Sequence, residues 1–141
     1  MATVDELDSH LIKTGCQYEA IGNSTWVLAP DSAHPAQIVV KADDPIVLFT
    51  LAVLDLAPDV EGREALFRTL LELNSELLHT SYSLEGDRVV LSGAQQLENL
   101  DFNEFQAMID DMCMALDNHW DKLSEWGLKK QRAANAAEGS A

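Results

Sequence analysis

The sequence predicts an α+β domain built on a mostly antiparallel sheet, and three observations predict it. Apolar residues recur at helical spacing in three separate windows, near residues 3–14, 66–78 and 102–126. Between those windows the period falls to two, and Gly22-Asn23-Ser24 and Glu85-Gly86-Asp87 supply the turn chemistry of hairpins. Strands therefore cluster instead of alternating one for one with helices, which separates the pattern from a parallel α/β fold.

The elements follow in order. Thr3-Val4-Asp5-Glu6 has the form of a capping box, and Val4, Leu7, Leu11 and Ile12 then share a helical face that ends at Gly15. Tyr18 and Ala20 alternate with Gln17 and Glu19, and Thr25-Trp26-Val27-Leu28-Ala29 returns beside them as a hairpin. Pro30 to Pro35 is a loop, Gln37 to Lys41 a third strand, Asp43-Asp44-Pro45 a turn, and Ile46 to Leu54 a strand apolar on both faces. Such a strand must be central or covered. Beyond Pro58-Asp59, Leu66, Leu70, Leu73 and Leu77 form one helical stripe, with Phe67, Leu71 and Leu78 in a second beside it that Asn74 interrupts. That arc is wider than one core contact needs. Thr80 to Leu84 and Arg88 to Gly93 make another hairpin. Asp101-Phe102-Asn103-Glu104 opens a last helix, which carries Phe105, Met108, Ile109, Met112, Leu116, Trp120 and Leu123 on one face and Asp110, Asp111, Asp117 and Asp121 on the other. Residues 1–128 are expected to form a single domain and residues 129–141 a flexible tail, in which Ala133 to Ala141 is small and polar and is expected to fray.

Charge excludes whole classes of partner. The 141 residues hold 24 acids and 9 bases, a net charge of −15. Residues 1–121 carry 22 acids against 5 bases, so the body is the anion, while residues 122–141 are net positive. Polyanions are repelled over ~8 Å at physiological salt, so neither nucleic acid nor an anionic membrane is an expected partner. The longest apolar stretch, Ile46 to Leu54, is far too short to span a bilayer. Cys16 and Cys113 lack any metal-type spacing and fit a reducing compartment or indifference to redox; with no basic and apolar leader at the start, a cytoplasmic protein is expected.

Catalytic chemistry finds no motif. A nucleophile needs a base and an orienting group, yet His10, His34, His79 and His119 sit in no elbow or Cys/His signature. His10 and His119 are expected at the surface or its boundary. No metal is expected, because Asp110-Asp111 and the pairing of His119 with Asp117 or Asp121 lack ligand geometry. No cofactor is expected either, since the seven glycines are isolated and form no phosphate cradle. What remains is apolar surface beyond the needs of a monomer, which points to self-association.

At this point the second half resembles a known family. Leu70-Leu71-Glu72-Leu73-Asn74, Leu84-Glu85-Gly86-Asp87 at a turn, Val89-Val90-Leu91 on a strand, Leu97-Glu98-Asn99-Leu100-Asp101 before a helix with Phe105, and Trp120 near its end look like the Tir-chaperone (CesT-type) family. These are small acidic chaperones of type III secretion, and the YbjN-like proteins share their fold. Gln96 stands where the family pattern often has proline, and the Pro30 to Pro35 segment is a second departure. The resemblance implies a homodimer, without nucleotide, that holds an extended segment of a client protein against apolar patches. Carried onto this chain, the client surface draws on Leu7, Leu11, Trp26, Leu28, Ile38 and Val40, and the dimer seam on Leu66, Leu70, Leu73 and Leu77. A non-enzymatic client chaperone is therefore the leading expectation. A YbjN-like regulatory or adaptor domain that binds a folded signalling partner is the alternative, and an enzyme using His119 and the acidic helix face is the third.

Overall fold

The structure, a computed structural model, describes residues 4–31 and 36–126. Its elements run α1 (Val4–Thr14), β1 (Gln17–Gly22), β2 (Thr25–Ala29), β3 (Ile38–Asp43), β4 (Ile46–Asp55), α2 (Arg63–Asn74), β5 (Thr80–Glu85), β6 (Arg88–Gln96) and α3 (Phe102–Leu123), with a short 3-10 turn at Ser124–Trp126. Three helices and a six-stranded antiparallel sheet make the α+β class that the sequence implies. Thr3 of the first capping box, part of the Pro30 to Pro35 loop and the 129–141 tail lie outside the described residues.

Strand order is β1-β2-β3-β4-β6-β5, so β4 is an inner strand and β1 and β5 are the two edges. Register sets which side chains share a face. Tyr18, Leu28, Ile38, Leu51, Leu91 and Tyr82 form one row across all six strands. The next row holds Trp26, Val40, Phe49, Gly93 and Thr80 on that same face. The Phe49 ring meets Phe105 of α3 at 5.5 Å between centroids, and His10 of α1 meets Phe105 at 5.7 Å. Both helices therefore cover this side of the sheet, and the buried side chains of both belong to one core. The opposite face carries Val27, Val39, Leu48 and Thr50, all partly open to solvent.

Local chemistry fixes the helices. Asp101 accepts from the Glu104 backbone at 2.7 Å, while its own N–H donates to Glu104 Oε1 at 3.4 Å. These two bonds satisfy orphan donors at the start of α3, as the sequence suggests. α2 starts after Gly62, whose φ of 80° lies in the left-handed region that favours glycine. Its leucines at 66, 70 and 73 enter the core, and the helix contacts β5.

Candidate partner-binding surfaces

All six side chains assigned to a client lie inside this chain's own core. Leu7, Leu11, Leu28, Ile38 and Val40 are fully buried, and Trp26 is nearly so. The reason is alternation: these strand residues point to the face that α1 and α3 cover, and Leu7 and Leu11 are the face of α1 that does the covering. The residues between them face the other side of the sheet. On the uncovered side those are Val27 and Val39, beside Leu48 and Thr50, in rows fixed by the same register.

The seam residues divide in a similar way. Leu66, Leu70 and Leu73 are buried in the core and Leu77 is half-buried, so this stripe is taken up within the chain. Of the second stripe, Phe67 is partly buried against the core, while Leu71 on α2 and Leu78, which lies past the helix end at Asn74 and not on the helix the spacing suggests, are left outside. Leu71 is 71% exposed, Leu78 is 91% exposed, and Met114 on α3 is 60% exposed. Leu78 and Met114 share the walls of a groove of about 340 Å³ with Leu77, His79 and His119. Sequence spacing displays both stripes but ranks neither, and Met114 escapes it because the acids of α3 flank it.

Beneath the groove lies a polar cluster that corrects an expectation. His119 is 94% buried rather than superficial, because it follows Ala115 by four positions and so shares the core-facing side of α3. Its Nε2 lies 3.3 Å from Glu76 Oε2, and its Nδ1 lies 2.7 Å from the Tyr82 hydroxyl. A carboxylate only accepts, so Nε2 carries the proton and Nδ1 accepts from Tyr82. Burial, with the Glu76 charge adding to it, pushes the Tyr82 hydroxyl above the ordinary tyrosine range. The cluster ties α3, β5 and the segment after α2 together. Its members are all partnered, which suits a structural role better than a nucleophile and base.

His10 is buried too, three positions after Leu7 on the face of α1 that meets α3. Its Nε2 donates to the Leu100 carbonyl at 3.0 Å. Nδ1 has no hydrogen-bond partner. Among the described residues, no group of three or more His, Cys, Asp or Glu is placed to hold a metal ion.

The sheet's two edges differ. At β5 the Asn74 side chain accepts from the Tyr82 N–H at 2.7 Å and donates to the Tyr82 carbonyl at 3.3 Å. β1 has β2 on one side, and its side chains are mostly exposed, Ile21 by 57%. Desolvation first, then the charge of Asp8 and a hydrogen bond to it, raise the Tyr18 hydroxyl above its usual pKa, so α1 and β1 are linked there. Among the described residues, no helix is long and apolar enough to cross a membrane.

Comparison with known proteins follows this geometry. A search of curated protein sequences gives no match. Among solved structures, YbjN from E. coli aligns with a TM-score of 0.61 at 15% identity, over 86% of this chain and 96% of that one. A chain of the heterodimeric ExoU–SpcU complex from the type III secretion system of Pseudomonas aeruginosa aligns with a TM-score of 0.58 at 15% identity, over 84% and 95%. At that identity the two likenesses establish the fold. The CesT_Tir_1 family model matches residues 2–129, nearly the whole chain. With the helix and strand order described above, this makes the chain a member of the CesT_Tir_1 family of type III secretion chaperones.

Proposed function

We propose that this chain is a non-enzymatic, cytoplasmic chaperone that works as a homodimer and holds an extended segment of a client protein. Family membership supports the chaperone role, and the similar ExoU–SpcU structure is itself a complex of two different proteins. The observation that carries the homodimer is the exposure of Leu71 on α2 together with that of Leu78 and Met114, which line one groove. Three large apolar side chains so placed are stranded in a monomer and become the centre of a seam when a second copy covers them. A stable seam of the standard class buries ~1,200–2,000 Å², so the α2 surface around them takes part as well.

For the client, the β1 edge and the uncovered face with Val27, Val39 and Leu48 support an extended segment. An edge strand offers main-chain donors and acceptors, and alternate side chains then fall on the sheet face beside it. The buried set of Leu7, Leu11, Trp26, Leu28, Ile38 and Val40 acts from below by fixing the contour of that sheet. The net charge of −15 favours a basic segment. An open strand edge suits an extended segment better than the folded partner of an adaptor.

Two measurements test this. Light scattering is expected to give a dimer for the native chain and a folded monomer for the variant with Leu71→Glu and Leu78→Glu. A native monomer at high micromolar concentration refutes the seam. With a captured client, limited proteolysis is expected to show protection of one short segment, lost on Val27→Glu with Val39→Glu; protection of a whole client domain refutes the extended mode.

A further inference from the structure

Asn74 is the residue that breaks the second apolar stripe of α2, and neither seam nor client surface needs it. Its amide does what a neighbouring strand does. It takes the outward N–H of Tyr82 at 2.7 Å and returns a donor to the outward carbonyl of that residue at 3.3 Å. Because both Tyr82 groups point away from β6, the outward groups of β5 are those of Thr80, Tyr82 and Leu84, which alternate along the strand. Asn74 occupies the middle pair. The two remaining pairs stand ~13 Å apart, four residues at strand rise, with a side chain filling the gap. An added strand would have to bridge that gap without its central bonds.

The other edge is different. Among the described residues, the backbone of β1 has β2 as its hydrogen-bonded neighbour, and the strand order leaves it at the end of the sheet. The register of β1 is regular from Gln17 to Ala20 and shifts between Ala20 and Gly22. Unpaired edges invite strand addition, and folds manage this by covering or interrupting them.

We propose that Asn74 closes the β5 edge to strand addition, so that an extended partner segment is confined to β1. Asn74 is then a specificity-determining residue: it decides at which end of the sheet a segment enters. The proposal rests on the extended-segment reading above and adds the choice of edge. Replacing Asn74 with a leucine would complete the exposed stripe, so a polar residue here trades apolar surface for edge closure.

The test uses the full chain with isotope-labelled backbone amides and, as probe, a ten-residue peptide of alternating valine and lysine, which is extended and basic. For the native chain, amide shifts are expected at Gln17 to Ala20 and not at Thr80 to Leu84, with one peptide per chain. For Asn74→Ala, shifts appear at Thr80 to Leu84 as well, and stoichiometry rises to two. Native Tyr82 amide exchange is expected to be at least about fivefold slower than in the variant, the scale of one ordinary hydrogen bond. Shifts at β5 in the native chain, or a folded Asn74→Ala chain that binds at β1 alone, overturn the proposal. If β5 responds in the variant while β1 is silent in both, closure by Asn74 stands and the β1 reading falls. Should Asn74→Ala not fold, Asn74→Asp keeps the acceptor for Tyr82 and loses the donor. It is expected to preserve slow Tyr82 exchange, and fast exchange there or in the native chain overturns the proposal.

Discussion

Gly93→Ala is expected to destabilise the chain by steric conflict alone. Gly93 lies on β6 between Phe49 and Thr80, on the sheet face that α3 covers. A methyl group there would stand 2.9 Å from the His79 carbonyl oxygen and 3.0 Å from both Met108 Cε and Sδ. Met108 is flexible and can retreat, but the carbonyl belongs to backbone joined to β5. Overpacking of this kind costs ~1–3 kcal/mol. The unfolded chain returns ~0.4–1 kcal/mol, because alanine has less freedom to lose than glycine. The net loss is therefore about 1–2 kcal/mol, a fall of roughly 3–8 °C in Tm for a domain of this size. Urea and thermal unfolding of both chains measure it. Adding Met108→Ala separates the two contacts: the double variant should recover the methionine share of the clash and keep the carbonyl share, giving less than additive loss. A Gly93→Ala chain as stable as the native one, or more so, refutes the reasoning.

Further outcomes follow from polar groups inside and outside the core. Tyr82→Phe leaves His119 Nδ1 buried without its donor and should cost ~1–3 kcal/mol in urea unfolding, whereas Arg88→Ala, which breaks an exposed pair with Asp55, should cost less than ~1 kcal/mol. Burial, helped by Asp117, Asp110 and Cys16, pushes the Cys113 thiol up to about 11, so its thiolate absorbance should rise only near that pH. Because the folded chain holds this proton more tightly than the unfolded one, the associated stability is complete below about 9 and is lost as pH climbs through about 11; titration midway through neutral pH would contradict the burial.

Most of the fold is visible in the sequence because periodicity reports it directly. The six strands, the three helices and the Asp101 capping box all follow from spacing and local hydrogen-bond chemistry. The candidate site is less visible, for a physical reason. Alternation shows that Trp26, Leu28, Ile38 and Val40 share a face, but which face the helices cover depends on the path of the chain between elements. Helical spacing likewise displays two stripes over 66–78, and only packing against the core separates Leu66, Leu70 and Leu73 from Leu71, while Leu78 lies past the helix end at Asn74. His10 and His119 sit among apolar neighbours on their helices, yet a titratable side chain is expected outside unless a partner is known. The Leu100 carbonyl and the Tyr82 hydroxyl are those partners, each distant in sequence. Asn74 is the clearest case: an interruption in the pattern whose purpose lies eight residues away, on a strand edge.

Strand order also governs how the chain must be made. β1 to β4 form a meander of near neighbours that is complete by Asp55. The helix that covers much of it, α3, begins at Phe102 and comes last. During synthesis from the N-terminus, Phe49 and Leu51 therefore precede much of their cover: α2 follows soon after β4, but α3 starts only about fifty residues later. The chain's own sheet is therefore made before its cover is complete.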